Sequence, residues 1–504
     1  MIAIVGVVGA GLMGRGIAQI AAQAGCEVRL VDARPGAAAQ AKQEIDKTLA
    51  SLAAKGKLNE AEAKAAVARI VLPEGTAALA DCDLVIEAIV EDLAAKRALF
   101  RDLEAVVAPD CILATNTSSL SVTAIAASCA HPARVAGLHF FSPVPLMKLV
   151  EVIDGLLTAP EVSVRLTAFA RTLGHTPVRA KDTPGFIVNH AGRAFGTEAL
   201  RIVGEGIADF GAVDRILKKS AGFRMGPFEL MDLTGLDVSH PVMESIYHQY
   251  YEEPRFRPSP ITAQRLAAGV LGRKSGRGFY DYPGGKPGPA PTPRLVPVLE
   301  GPMPHVWIGA GDADVRARVT NMVRTLGGDI DAAATPDQGS LCLVLPLGRD
   351  ATTTALSEGL EPTRTVALDV LVDQAAQRTL MTTPVTAPAY RDAAHALFAA
   401  DGASVDVIHD SPGFVTQRVL AHIVNVACDI AQQRIANAAD IDLAVRLGLG
   451  YPHGPLAWGD ALGPTCLLAI LQEMAAFYGD PRYRASPWLT RRARLGVSLL
   501  TPES

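Results

Sequence analysis

The sequence predicts an α/β fold: a doubly wound, mostly parallel sheet followed by an all-helical domain, with both then repeated in weaker form. Three observations predict it. Short apolar runs alternate with amphipathic helical stretches through the first third of the chain. A glycine turn, "VVGAGLMGRG", joins the first strand to the first helix. And "DTPGFIVNHAGRAFGTEALRIVGEG" reappears as "DSPGFVTQRVLAHIVNVACDIAQQR", with Pro-Gly-Phe at 184–186 and again at 412–414, 228 residues on.

The elements follow in order. "IAIVGVV" reads as a strand, "LMGRGIAQIAAQAG" as a helix and "EVRLVD" as a strand. Residues 36–68 are rich in Ala, Lys and Glu and break at "AKGKLN", so a helical hairpin projecting from the sheet is expected there. "DLVIEAIV", "CILAT" and "RVAGLHFF" continue the sheet, giving a first domain over 1–181. Helices follow over 182–282. "YPGGKPGPAPTPRLVP" is too rich in Pro and Gly for a packed core, so 283–303 reads as a linker. "HVWIGAGDADVRARVTNMVRTLGG" then restarts the strand, glycine turn and helix, giving a degenerate sheet domain over 304–404 and a second helical domain over 405–500. The second sheet domain is shorter and is expected to lack the hairpin.

Composition sets the boundaries of function. With 504 residues the chain is too long for one core. A net charge of −5 argues against a nucleic-acid partner, which needs clustered excess Lys and Arg. No apolar run reaches the roughly 18 residues of a membrane span, and the N-terminus lacks a basic region and cleavage site. The seven cysteines are odd in number and have no metal-ligand spacing. Reduced thiols in a cytoplasm, and no metal, are expected.

The glycine turn carries Gly9, Gly11 and Gly14 in G-x-G-x-x-G spacing between a strand and a helix, and the next strand ends in Asp32. That context is a dinucleotide-binding fingerprint. Gly9 makes the turn, Gly11 lets the backbone approach the pyrophosphate, and Gly14 lets helix and strand pack. Leu12 and Met13 open the helix whose N-terminus receives that pyrophosphate. Asp32 accepts from the ribose hydroxyls and repels a 2′-phosphate, so the expected cofactor is NAD. The second copy keeps Gly309 and Gly311 but places Asp314 at the third position, with Asp312 beside it. Asp314 should crowd helix against strand, and the added charge should exclude a dinucleotide.

"GLHFFSPVPLMKLVEVI" is apolar like a pair of buried strands, yet contains His139 and Glu151. Each costs free energy when buried unless the two are paired. A histidine oriented by a carboxylate is what a dehydrogenase needs to remove a hydroxyl proton. Upstream, "ATNTSSLS" offers Ser118. Ser118, His139 and Glu151 also spell a hydrolase triad, but the chain has no G-x-S-x-G elbow.

With these residues in hand, the chain resembles the (S)-3-hydroxyacyl-CoA dehydrogenases. The resemblance rests on "GAGLMGRGIAQ", "DLVIEAIVEDLAAK", "NTSSLS", "GLHFFSPVPLMKLVEV", "DTPGFIVN", "GPFELMDLTGLD" and "GRKSGRGFY", in order over most of residues 1–282. It implies a Rossmann-type domain followed by a helical domain of the 6-phosphogluconate-dehydrogenase type. It implies His139 as base, Glu151 as its partner, and Ser118 and Asn189 as the groups that hold the substrate oxygen. It implies cofactor contacts at Glu91, Lys96, Asn116, Ser118 and Lys274, and CoA contacts on the hairpin at Thr48, Lys55 and Lys57. Where the family has Asn after "HFF", this chain has Ser142, a shorter side chain for the nicotinamide side of the site. At the 228-residue offset Ser118, His139, Glu151 and Asn189 fall on Pro346, Ala367, Thr379 and Gln417, so the second half is expected to be inert and to imitate a dimer partner within one chain, with homo-oligomers also open. The implied reaction is reversible oxidation of a short-chain or dicarboxylic 3-hydroxyacyl-CoA. A dehydrogenase of free hydroxyacids, and a non-catalytic binding protein on the same scaffold, are the alternatives.

Overall fold

A computed structural model describes residues 2–289, 293–299 and 301–503. Of the linker expected over 283–303, residues 290–292 and 300 lie outside the described residues. The chain divides into two compact units. One comprises the residues up to His190 together with Gln433–Leu449; the other comprises Ala191–Gln432 and the residues from Gly450 on.

The first unit is built on an eight-stranded sheet: β1 (Ile4–Val8), β2 (Glu27–Val31), β3 (Ile70–Val71), β4 (Leu84–Glu87), β5 (Ile112–Thr115), β6 (Val135–Phe140), β7 (Leu149–Asp154) and β8 (Thr176–Lys181). Their order is β3-β2-β1-β4-β5-β6-β7-β8. The six strands from β3 to β6 are parallel, and their apolar runs are buried because helices cover both faces. β7 runs antiparallel to β6 and β8 lies parallel to β7, so these two strands oppose the other six. The connection over 141–148 is too short for a parallel crossover, which needs about a dozen residues or more.

The 36–68 segment forms two helices, Ala37–Ala54 and Glu60–Ala68, the second capped by the Asn59 side chain. The hairpin does not project freely. Ala41, Ile45, Leu49, Ala63 and Ala66 are buried in the main core beside Ile17 and Val28. Its small and branched residues face inward at helical spacing, so only the outer face and the tip meet solvent.

The second unit carries a five-stranded sheet: β9 (Val306–Ile308), β10 (Leu341–Val344), β11 (Thr365–Leu368), β12 (Gln377–Thr382) and β13 (Ser404–Ile408), in the order β13-β12-β11-β10-β9. β11 and β12 form its antiparallel pair. β12 begins 228 residues after β7, and β13 the same distance after β8. No helical hairpin follows the glycine turn after β9 among the described residues. Two sets of helices complete this unit. Arg193–Gly204 packs on Val415–Gln432, with Arg418 fully buried between them. Arg418 donates to Glu198 and to Glu205, each at 2.8 Å, and Arg482 donates to the other Glu198 oxygen at 2.8 Å. Among the described residues no single helix is long and apolar enough to cross a membrane. None of the seven cysteines forms a disulfide.

Candidate active site

The glycine turn leaves β1 with Gly9 at φ +104, where a Cβ would overlap the Ala88 carbonyl. A Cβ on Gly14 would overlap the Gly9 carbonyl, so the helix Leu12–Gln23 lies directly on the turn. Gly11 differs: nothing stands within 4 Å of the place its Cβ would take. The helix it caps has no side-chain cap and no acidic residue in its first turn. Its leading N–H groups are left for an anionic ligand. Leu12 is 62% exposed at the mouth, and Met13 is half-buried against the core. Asp32 ends β2, accepting from Ala10 N–H at 2.7 Å and Arg34 N–H at 2.8 Å. Burial works to raise its carboxyl, but Arg34 and the two backbone donors outweigh this and hold it below the usual range. These residues fit NAD: an open cradle, a positive helix end and an ionised ribose acceptor.

His139 and Glu151 are direct partners across the antiparallel β6–β7 pair. Their side chains therefore leave the sheet on one face, and Nδ1 lies 2.7 Å from Oε2. Glu151 is fully buried. Its other oxygen accepts from Ile187 N–H and Val188 N–H, both at 3.0 Å. The contact between Nδ1 and Oε2 favours the tautomer with the proton on Nδ1, which leaves Nε2 as an acceptor. Phe141 and Phe186 flank the imidazole, with ring centroids at 4.4 and 5.9 Å.

Ser118 and Asn189 meet, with Asn189 Nδ2 donating to Ser118 O at 3.4 Å. Glu91 gathers the loop after β5: it accepts from Thr117 Oγ1 at 2.7 Å, Ser118 N–H at 2.9 Å and Ser119 N–H at 3.1 Å. Burial pushes Glu91 up, yet Thr117, Lys96 and the loop N–H groups hold it below the usual carboxylate range. Asn116 accepts from Phe140 N–H at 2.8 Å, tying the β5 loop to the end of the His139 strand.

Lys96 lies beneath the site. It is 1% exposed, and its ammonium is taken up by Glu87 and Glu91. Glu87 was not foreseen. It too is fully buried, and it also accepts from Thr115 Oγ1 at 2.7 Å. A carboxylate ending the otherwise apolar "DLVIE", with a lysine nine residues on, was the available signal. Ser142 is exposed in the β6–β7 connection. Thr48, Lys55 and Lys57 are exposed on the hairpin, Thr48 donating back to Glu44 O at 2.8 Å. Lys274 belongs to the second unit and pairs there with Asp237 at 2.6 Å.

The model for the NAD-binding domain of 3-hydroxyacyl-CoA dehydrogenases matches residues 4–183, and the model for their C-terminal domain matches twice, at 185–282 and 413–498. The chain belongs to the 3-hydroxyacyl-CoA dehydrogenase family. It is 37% identical over 493 residues to the 3-hydroxyadipyl-CoA dehydrogenase of Escherichia coli, covering 97% of each chain. It is 45% identical over 276 residues to a probable 3-hydroxybutyryl-CoA dehydrogenase of Bacillus subtilis, covering 55% of this chain and 96% of that one. The crystal structure of a 3-hydroxybutyryl-CoA dehydrogenase from E. coli superposes with a TM-score of 0.84 at 36% identity, covering 98% of this chain and 99% of that one. As in the rest of the family, the cofactor is NAD.

The second sheet of this dehydrogenase corrects two expectations. Asp314 does not crowd its helix; it is exposed in the first turn. Instead, Asp312 caps that helix by accepting from Asp314 N–H and Val315 N–H, at 3.0 and 3.1 Å, and Glu358 accepts from Ala310 N–H at 3.1 Å. Asp312 thus takes helix-start donors of the kind that stay open after Gly11. Nor does the His139 position fall on Ala367. Asp369 N–H donates to Thr379 O, which sets Asp369 opposite Thr379 as His139 is opposite Glu151. The strand is offset by 230 residues rather than 228, because Arg134 before β6 corresponds to Arg364 before β11. Asp369 is in turn held by Thr416 Oγ1 and by Gln417 Nε2, the latter at 3.0 Å. Gln417 Nε2 also donates to Pro346 O at 3.1 Å.

Proposed function

We propose that the chain oxidises an (S)-3-hydroxyacyl-CoA reversibly to the 3-oxoacyl-CoA, with the chemistry at His139. The observation that carries this reading is the His139–Glu151 pair at 2.7 Å, buried at the same end of the parallel strands as the glycine turn. NAD, when bound, supplies the hydride acceptor. His139 Nε2 takes the hydroxyl proton as the alcohol becomes a carbonyl. Glu151 keeps the ring in the Nδ1–H form and stabilises the imidazolium that results. Ser118 and Asn189 donate hydrogen bonds to the substrate oxygen, a preorganised polar environment for the carbonyl as it forms. Glu91 and Lys96 keep the Ser118 loop in place from below. Lys55 and Lys57, with Thr48, receive the CoA phosphates on the outer face of the hairpin.

Residues 304–500 are read as a degenerate copy of both domains. Occupied helix-cap donors after Gly311 and the Asp369–Gln417 contact support its being catalytically silent. The buried Glu198–Arg418–Arg482 cluster supports an internal pseudo-dimer of the two helical sets, whether or not whole chains also associate. Seven cysteines held as thiols rather than disulfides support a cytoplasmic location. The full-length likeness to a 3-hydroxyadipyl-CoA dehydrogenase supports a dicarboxylic acyl group beside the short unbranched one.

The test is NADH oxidation with acetoacetyl-CoA and with 3-oxoadipyl-CoA, using free acetoacetate as control. Consumption with a CoA ester alone is expected, and the faster ester names the acyl class. Equal consumption with the free acid would overturn the CoA reading.

A further inference from the structure

The unit that carries His139 is not made by the N-terminal part of the chain alone, because Gln433–Leu449 belongs to it. This segment covers the sheet edge. β8 is the outermost strand, and its outward N–H groups at Arg179 and Lys181 are taken by Asp440 Oδ2 at 3.2 Å and by Ile435 O at 2.9 Å. The helix Ala438–Leu449 then packs on β7 and β8. Near its end, Gly448 has no room for a side chain: a Cβ would stand 2.9 Å from both Leu149 Cδ2 and Val188 Cγ2. Leu149 begins the strand that bears Glu151, and Val188 N–H is one of the two donors to Glu151 Oε1.

We propose that the helix Ala438–Leu449 is a positioning element of the active site: through Gly448 it seats Val188 and Leu149, and so fixes the grip on Glu151 that orients His139. The role is mechanical. Glu151 has one oxygen on His139 and one on the Ile187 and Val188 N–H groups, so a shift of Val188 moves the carboxylate as a body. The C-terminal half thereby takes part in catalysis without contributing a reacting group. The second unit shows the converse exchange: the helix Phe210–Ala221 packs on β12, and Arg215 is paired with Asp406 of β13. There β12 carries Thr379 where β7 carries Glu151.

The proposal rests on His139 as the base, and the experiment separates the two ideas. In the full chain, Gly448→Leu and Gly448→Ala are compared by turnover of acetoacetyl-CoA and by the downfield proton resonance of the His139 Nδ1–H bond. For Gly448→Leu, kcat is expected to fall by about tenfold to a hundredfold, the cost of a misplaced catalytic group, with KM for NADH unchanged and the downfield proton shifted or broadened. Val188→Ala removes both Val188 methyl groups that the new Cβ meets and leaves only the Leu149 Cδ2 contact, so Gly448→Ala/Val188→Ala should recover part of the kcat lost in Gly448→Ala. If Gly448→Leu does not fold, this rescue decides. A folded Gly448→Leu protein with wild-type kcat and an unmoved resonance, or a Gly448→Ala loss that Val188→Ala does not relieve, would overturn the proposal. Absence of turnover in the wild type would instead overturn the functional reading, while the resonance still reports on the seating of Glu151.

Discussion

Glu151 stands opposite His139 in the β6–β7 register, and each of its oxygens has a separate duty: one holds the imidazole at 2.7 Å, the other holds two backbone N–H groups. The pair is thus fixed by strand geometry on one side and by the turn after Phe186 on the other. A histidine placed in this way depends on its partner more than on solvent.

Replacing the base tests it directly. His139→Gln should retain NADH binding, measured by fluorescence, and lose turnover by about 10²–10⁴. Near-normal turnover would remove His139 from the chemistry.

The glycines of the turn should separate stability from binding. Gly14→Ala meets the Gly9 carbonyl and should lower the unfolding free energy by about 1–3 kcal/mol. Gly11→Ala meets no protein atom, so its Tm should stay at the wild-type value while NADH affinity drops. Thermal melts with and without NADH distinguish the two.

Asp32→Asn tests the proposed ribose acceptor by removing its charge. Hydrogen bonds to charged groups contribute about 1.5–3 kcal/mol, so NADH should bind about tenfold to a hundredfold more weakly, and the preference over NADPH should narrow. Titration with both cofactors measures it.

Lys55→Glu reverses a charge at the exposed end of the hairpin. KM for acetoacetyl-CoA should rise, most strongly at low salt, while KM for NADH stays constant. An unchanged KM for the ester would move the CoA site away from the hairpin.

Acid should weaken the second unit, which holds all three tryptophans, Trp307, Trp458 and Trp488. Burial opposes the charge on Glu198, but Arg418 and Arg482 outweigh it and hold the carboxyl far below its ordinary value. Burial, with Arg482 beside it, pushes His422 down to about 3. Both groups bind protons more readily unfolded than folded. Their contribution is full above the unfolded values, near 6.5 for His and 4.5 for Glu, and is lost as pH falls. Urea midpoints from tryptophan fluorescence should therefore decline below pH 6.5, and His422→Gln should flatten the upper part of that decline.

Much of the site was legible in the sequence because its signals are local. The glycine spacing between strand and helix, Asp32 at a strand end, and a histidine and glutamate inside one apolar stretch each need only neighbouring residues to be understood. The hairpin was legible as two helices, but its inward packing was not, since that depends on the core it meets. A fixed offset misplaced the His139 counterpart, because strand register is set by pairing across the sheet rather than by counting along the chain.

By itself, the sequence determined the parallel sheet, the nucleotide turn, the buried acid–base pair and the recurrence of the helical domain, all patterns of residue type at short range. Only the tertiary structure decided that Lys96 lies under the site with Glu87, that Asp312 caps the helix after Gly311 while Gln417 bonds Pro346 O, and that Gln433–Leu449 completes the unit carrying His139. These are contacts between residues far apart in the chain, and their partners are chosen by packing, which leaves no mark on local spacing.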